Sequence, residues 1–541
     1  MTAPSPEISE AIAALIKAVD QCIALGEFNT AEMLIGQGIA IAPGRREVLL
    51  RRARLAMIGK RFPEALADYR AVVESVQDNA RIWTEMARVA ARVLDWDTAI
   101  SAFNKALAFL SKDASLWAEL GHAQINGGRG AEAASSFQKS LALDPNQAEV
   151  WSDLGARQIA AERFEDAGKA FEKAISLGHA TPETFKNLSI ARDWSGDDEG
   201  MLNALRRAVG MAQNEAAARQ SLGAALLGCG RLSDGWGEYR QRFDNPDHKG
   251  WHRGIRLPRF DGKTLAGQRV LIWSDQGLGD QILVAGLLPG ATAAAEHIVF
   301  ACEPRLRPVI ERSFPGLRVV SLTELHTGKI DLRDVTTQAS ISELGPVLRS
   351  DLSSFKTHTG YLRADAGRSA ALKQKYDQMP GKGPVVGISW QSVNDQAGAH
   401  KTISLSDWGP ILNLSNARFV SLQYGDIATD VAAANQKFGC EILIDRSIDA
   451  ITDVDAFAAQ VAAMDVVIST SNTTVHMAGA LNIPTLCLTP RVEGRPWYWF
   501  KRQDHSPWYP SVRHIWQTRR GHWETAISNA AAQFNVLLGS R

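Results

Sequence analysis

The sequence predicts an α-solenoid followed by two α/β domains, each built on a parallel sheet. Three observations predict it. A 34-residue period runs through the first 243 residues, short apolar runs alternate with helical patterns from residue 265 onward, and a Gly/Pro/Lys-rich seam at Met379–Pro384 splits the alternating part in two. With 541 residues the chain is too long for a single hydrophobic core. Hydrophobic residues make up 45% and charged residues 22%, the composition of a folded globular chain.

Lys plus Arg equals Asp plus Glu at 59 each, so no net charge marks the chain for nucleic acid or an anionic membrane. Residues Met1–Glu10 lack the basic-then-apolar order of a signal peptide, and no apolar run is long enough to span a bilayer. The five cysteines (Cys22, Cys229, Cys302, Cys440, Cys487) are scattered, without a CxxC pair. That spacing points away from disulfide and zinc frameworks and towards a reducing, cytoplasmic setting.

The repeat comes first. Ala31, Ala65, Ala99, Ala133 and Ala167 recur every 34 residues, and Met201 and Gly235 continue the series. Four residues after each stands a bulky residue: Ile35, Tyr69, Phe103, Phe137, Phe171, Leu205, Tyr239. Sixteen before each stands another: Leu15, Leu49, Trp83, Trp117, Trp151, Phe185, until Arg219 breaks the pattern. Each unit reads as two short helices, with small residues where they cross and large ones beside the crossing. No unit buries its apolar face alone, so the units must stack.

The clearest unit, Trp117-x2-Leu120-Gly121 with Ala133, Phe137 and Pro145, resembles the tetratricopeptide repeat, whose period is also 34. Seven such units, from about Ile12 to about Phe243 (domain 1–243), imply a superhelix with a concave face that docks another protein. By that resemblance the first helix of each unit lines the groove, which places Arg51, Arg54, Arg81, Arg88 and Arg92 there. A basic groove suits an acidic or carboxylate-bearing partner; the alternative is a solvated charged surface.

Asp244–Thr264 is rich in Asp, Pro, Gly, Arg and His, lacks apolar periodicity and reads as a linker. It is flanked by Gly235-Trp236-x2-Tyr239-x2-Arg242 and contains Leu257-Pro258-x-Phe260-Asp261-Gly262. Both strings resemble bacterial proteins that fuse these repeats to a glycosyltransferase.

Candidate strands follow at Arg269–Trp273, His297–Cys302, Arg318–Leu322, Val385–Ser389, Phe419–Gln423, Asp465–Ser469 and Thr485–Leu488. They form two Rossmann-like groups, 265–380 and 384–541, facing each other across a cleft. In doubly wound sheets ligands bind beyond the carboxyl ends of the strands, so functional motifs should follow strands.

Three do. After the first strand comes Ser274-Asp275-Gln276-Gly277-Leu278-Gly279-Asp280, a tight turn into a helix N-terminus. There Asp280 is either a helix-capping carboxylate or a general base. After Val385–Ser389 come Gln391 and, past a polar loop, His400-Lys401-Thr402. Lys401 is either an exposed loop lysine or a point charge for a phosphate. After Asp465–Ser469 comes the hydroxyl-rich Thr470-Ser471-Asn472-Thr473-Thr474, opening a helix that carries His476. Free N–H groups and hydroxyls there make an anion site; the alternative is simple capping with His476 packed inside.

The second and third motifs and the Gly-Asp pair resemble the heptosyltransferase-like and O-GlcNAc-transferase-like families. These carry the GT-B fold of two Rossmann-like domains. The resemblance implies a metal-independent, inverting glycosyltransferase with Asp280 as base and His476 at the cleft. It places Lys401, Gln391, Ser471, Asn472, Thr473, Thr474 and Arg491 at a nucleotide-sugar donor, and Gln276, Gly277 and Gly279 in an acceptor loop. The family has an Asp where Ser471 stands here, which argues against a heptose donor.

Arg491-x3-Arg495-Pro-Trp497-Tyr498-Trp499 and Ser506-Pro507-Trp508-Tyr509-Pro510 again resemble the fused bacterial enzymes, and their Trp residues read as packing. Walker, HExxH and nucleophile-elbow motifs do not occur, and Asp453-Val454-Asp455 reads as a helix start, not a metal site. The resemblance implies transfer of a nonulosonic acid such as pseudaminic acid, from a CMP-sugar, to Ser or Thr of flagellin. N-acetylglucosamine or heptose transfer, and a catalytically inactive scaffold, are the alternatives.

Overall fold

The computed structural model describes residues 6–212, 215–245, 255–355, 360–392 and 398–539. It forms two compact units, Met1–Ser195 and Gly196–Arg541. Among the described residues of the first, eleven α-helices run from Pro6–Leu25 to Pro182–Ser195.

The periodic residues explain the stacking. Ala31, Ala65, Ala99, Ala133 and Ala167 are fully buried, as are Phe137 and Phe171. A Cβ at Gly121 would sit 2.4 Å from the Phe137 ring, and one at Gly155 2.9 Å from Phe171, so these glycines admit the ring of the next helix. The indole N–H groups of Trp83, Trp117 and Trp151 donate to the carbonyls of Gln77, Ser111 and Pro145, at 3.0, 2.9 and 2.9 Å. Each tryptophan thereby ties down the turn preceding its own helix.

The turn inside each unit is also periodic. Gly26, Lys60, Leu94, Gly128 and Glu162 all have positive φ, between +58° and +78°. Gly196 and Gly230 continue the spacing in the second unit. A left-handed residue is what ends one helix and starts the next so tightly.

The helical register expected to residue 243 continues through Arg240, but the helices Asp198–Val209, Glu215–Gly228 and Leu232–Arg240 belong to the second unit. There Trp236 Nε1 donates to the Arg349 carbonyl at 2.8 Å, the Lys501 amide donates to the Gly228 carbonyl at 2.7 Å, and the Lys501 ammonium pairs with Asp198 at 2.9 Å. The last helices are therefore built into the α/β part. Of the expected linker, residues 246–254 lie outside the described residues. Within the rest, Gln338 donates to the Pro258 carbonyl and Phe260 to the Gln338 carbonyl, both at 2.8 Å. The Leu257–Gly262 string thus lies along a sheet edge.

Two all-parallel sheets follow. The first contains β1 (Arg269–Trp273), β2 (His297–Cys302), β3 (Arg318–Ser321) and β4 (Thr337–Ser340), in the order β3-β2-β1-β4. The second contains β5 (Val385–Ser389), β6 (Arg418–Ser421), β7 (Ile442–Leu443), β8 (Val466–Thr470), β9 (Thr485–Thr489) and β10 (Val512–Trp516), in the order β10-β9-β8-β5-β6-β7. Strands β5, β8 and β9 are buried along their whole length, which is why they read as continuous apolar runs.

Strands β4, β7 and β10 were not expected. β4 reads Thr-Gln-Ala-Ser and has no apolar run; its Gln338 earns its place by accepting from the buried Trp273 indole at 2.6 Å. β7 is two residues long, and β10 contains Arg513 and His514. Asp453 N-caps the Val454–Ala462 helix by accepting from the Ala456 amide at 2.8 Å. Among the described residues no helix is long and apolar enough to cross a membrane.

Candidate active site

The first wall of the site is the loop after β1. Asp275 is buried and receives Arg242 Nη2 at 2.6 Å; Gln276 has φ +67° and donates from Nε2 to the Tyr239 hydroxyl at 2.7 Å. A glutamine in the left-handed region is held there against its preference, and the Tyr239 bond is one of the restraints. Gly277 then caps the Leu278–Ala285 helix, with Asp280 in its first turn.

The second wall is the turn after β8. Asn472 is the hub. Its Oδ1 accepts from the Thr474 amide at 3.0 Å, which caps the Thr473–Ala480 helix, and its Nδ2 donates to Ser389 Oγ at 2.7 Å and to the Gln391 carbonyl at 2.9 Å. Beside it the Thr470 hydroxyl donates to the Lys401 carbonyl, fixing the loop after β5. Among the described residues, the Thr474 hydroxyl at this helix N-terminus is fully buried and has no hydrogen-bond partner.

The two helices meet at Gly279. A Cβ there would lie 2.8 Å from His476 Cδ2 and 3.3 Å from Thr473 Oγ1. This close approach sets Asp280, on one sheet's helix, opposite Lys401, on the other sheet's loop. Burial pushes the Asp280 carboxyl up to about 6; the Lys401 ammonium, the Gly277 amide and the Tyr498 hydroxyl oppose that rise, and Asp275 adds to it. Lys401 is shifted down by burial, and Asp280 opposes that shift.

His476 is not on the cleft wall. It is 2% exposed, stacks on Trp499 with ring centroids 5.1 Å apart, and has both ring nitrogens engaged. Tyr509 Oη lies 3.0 Å from Nδ1 and Tyr498 Oη 3.2 Å from Nε2. Burial, and then the Lys401 charge, push the imidazole down to about 3, so it is neutral at physiological pH. Buried, with both ring nitrogens engaged by Tyr498 and Tyr509, His476 packs in the interior and not at the cleft where it was expected.

Other expected donor residues are committed within the protein. Gln391 donates from Nε2 to Asp430 at 2.8 Å, and Ser471 Oγ, 1% exposed, accepts from Trp499 Nε1 at 2.7 Å. Asn472 is spent on Thr474, Ser389, Gln391 and the Ser469 hydroxyl, which donates to its Oδ1 at 3.1 Å. Thr473 and Lys401 are part-buried, Thr474 keeps an unused hydroxyl, and Arg491 is exposed beyond β9. The sequence does not mark Asp275, Tyr239 and Tyr498 as neighbours of Asp280, nor Arg242 as the partner of Asp275. Tyr239, Arg242 and Tyr498 stand in the strings around Trp236 and Trp497, and Asp275 in the motif that ends at Asp280.

In the first unit, Arg88, Arg92, Trp96, Glu119, His122 and Asn126 line a groove of about 520 Å³. Its charge is mixed. Arg88 pairs with Glu119 at 2.7 Å, while Arg51 and Arg54 share Asp20 at 2.8 and 3.8 Å. Arg81 and Arg92 are exposed, Arg92 at 5.8 Å from the Phe62 ring centre. Of the arginines expected in a basic groove, Arg51, Arg54 and Arg88 thus lie against carboxylates, while Arg81 and Arg92 are exposed.

No family model matches the chain. It is 32% identical over 367 residues to the protein FlbA of Caulobacter vibrioides, a match covering 64% of this chain and 60% of that one. The chain therefore spans about three fifths of that relative's length. Among solved structures it is similar to MamA (TM-score 0.30, 17% identity, 32% of this chain and 94% of that one). It is also similar to YrrB, titled a TPR protein with an unusual peptide-binding site (TM-score 0.31, 18% identity, 35% and 96%). The pilF protein of Pseudomonas aeruginosa gives TM-score 0.30 and 17% identity over 44% of this chain and 99% of that one.

Proposed function

We propose that the chain is an inverting, GT-B-type glycosyltransferase that moves a sugar from a nucleotide donor to a Ser or Thr hydroxyl of a protein held by the repeat arm. The observation that carries this reading is Asp280 set opposite Lys401 and the Thr473–Ala480 helix N-terminus. A carboxyl pushed to about 6 is ionised at pH 7 yet more basic than an ordinary carboxylate, which suits a general base.

In this reading the acceptor oxygen attacks the anomeric carbon while its proton passes to Asp280. The bond from that carbon to the nucleotide phosphate breaks, and its electron pair leaves with the phosphate. Lys401, Thr473 and the helix N-terminus meet the phosphate charge; removing one such donor lowers the rate on the order of 10²-fold. The resemblance noted in the sequence supports a CMP-linked nonulosonic acid as donor and flagellin as acceptor, in the cytoplasm.

A thermal-shift panel with CMP, UDP, GDP and ADP, on wild type and Lys401→Ala, tests the reading. A nucleotide at 100 times its Kd adds roughly 2.7 kcal/mol to native stability. The expected result is a shift with CMP that Lys401→Ala abolishes. A shift with UDP alone points instead to N-acetylglucosamine. No shift with any nucleotide refutes the donor site and favours a scaffold.

A further inference from the structure

Strand β5 lies where the strand order of the second sheet reverses, between β8 and β6. At its carboxyl end three donors converge on one oxygen. Gln423, two residues beyond β6 and 6% exposed, accepts through Oε1 from the Ser389 hydroxyl at 2.9 Å, the Trp390 amide at 2.9 Å and the Gln391 amide at 2.8 Å. Successive N–H groups of an extended strand point to opposite sides, so two of them reach one oxygen only where the chain turns. Because both amides facing Oε1 are donors, the carboxamide can stand only this way round, with Nε2 donating to the Tyr424 carbonyl at 3.2 Å.

From the β8 side Asn472 reaches the same stretch. Its Nδ2 donates to Ser389 Oγ and to the Gln391 carbonyl, so the Ser389 hydroxyl accepts from Asn472 and donates to Gln423. The end of β5 is thus gripped from both neighbouring strands. The grip extends to Lys401. The Ile403 amide donates to the Trp390 carbonyl at 2.9 Å, and the Ser392 amide donates to Thr402 Oγ1 at 3.2 Å. The backbone that carries Lys401 is therefore tied to the residues that Gln423 holds.

We infer that Gln423 is a positioning residue: by closing the turn at the end of β5 it sets where the Lys401 ammonium stands in the cleft. The role given to that ammonium rests on the proposed donor site, but its placement can be read without a nucleotide. With three donors on it, the carboxamide oxygen of Gln423 is fully used inside the protein. Gln423 acts through the turn it closes.

Acetylation of the full chain by acetic anhydride, followed lysine by lysine in mass spectrometry, reads that placement. In Gln423→Met, of similar size but without the acceptor, Lys401 should react several-fold faster relative to the exposed Lys382. Gln423→Glu keeps an acceptor oxygen and should return the rate towards wild type, a rescue that side-chain packing alone would not give. An unchanged Lys401 rate in folded Gln423→Met overturns the inference. If that variant does not fold, an unchanged rate in Gln423→Asn, whose oxygen falls one methylene short, overturns it. Calorimetric titration with CMP separates this inference from the donor reading. Gln423→Met should weaken CMP binding about tenfold, the worth of one hydrogen bond, and should have no further effect in a Lys401→Ala background. Equal weakening in both backgrounds would show that Gln423 does not act through Lys401 and overturns the inference. A wild type that binds no CMP sinks the CMP-donor reading alone, and the acetylation rates then decide the placement.

Discussion

Arg242, just after the last repeat helix, reaches Asp275 at 2.6 Å with both side chains buried, 1% and 3% exposed. Its guanidinium also lies 4.2 Å from the Tyr239 ring centre and 4.0 Å from that of Phe243. Breaking a buried ion pair by removing one partner leaves the other charge stranded, at a cost of roughly 3–5 kcal/mol. A chain cut after residue 243, where the repeats end by register, loses Trp236, Tyr239 and Arg242 together. We expect it to aggregate or melt without cooperativity. A cut after Ser195 spares all three, so residues 196–541 should melt cooperatively in calorimetry, bind nucleotide and fail to modify a protein acceptor. Full modification by that fragment would remove docking as the arm's role.

The burial of Asp280 costs stability once its carboxyl is ionised. Its folded value, about 6, lies above its ordinary 3.8, so folding favours the neutral form. The stabilisation is complete below the ordinary value and is lost as pH rises through about 6. Asp280→Asn should therefore raise the unfolding midpoint at pH 7 while lowering transfer by about 10²–10⁴-fold. Wild-type transfer should climb with pH through about 6. A flat pH profile, or an Asn variant less stable than wild type at pH 7, would contradict the role given to this carboxylate.

Gly279 is one of the points where the two α/β halves touch. Gly279→Ala would place a methyl 2.8 Å from His476 Cδ2, inside a packed contact. Overpacking of this kind costs about 1–3 kcal/mol. Chemical denaturation should show that loss, with weaker nucleotide binding because Asp280 and Thr473 are pushed apart. Unchanged stability would mean that the halves separate freely.

Leu94 carries φ +62° and is 69% exposed, at the position held by Gly26, Gly128, Gly196 and Gly230 in four other units. A leucine in the left-handed region is strained by about 1–2 kcal/mol, and the greater freedom of glycine when unfolded takes back part of any gain. Leu94→Gly should stabilise the arm by up to about 1 kcal/mol, read from its urea midpoint. Destabilisation would show that the exposed leucine makes a contact worth more than the strain.

The sequence by itself determined the elements whose causes are local. The 34-residue spacing of Ala31 to Ala167 could be read because each unit meets the same neighbour in the same way. Strands β1, β5, β8 and β9 could be read because burial on both faces demands continuous apolar runs. Asp280, Lys401 and Thr474 could be singled out because each lies beyond a strand of a parallel sheet. β4 could not, since its Thr-Gln-Ala-Ser string is paired by neighbours remote in sequence. Only the tertiary structure decided the company these residues keep. Tyr498 and Tyr509 stand 22 and 33 residues beyond His476, yet their hydroxyls turn a histidine expected at the cleft into an interior strut. Arg242 stands 33 residues before Asp275 and makes the last repeat part of the site. No periodicity reports such pairings. Desolvation and hydrogen-bond direction set them, and both exist only once distant segments have closed around the same few atoms.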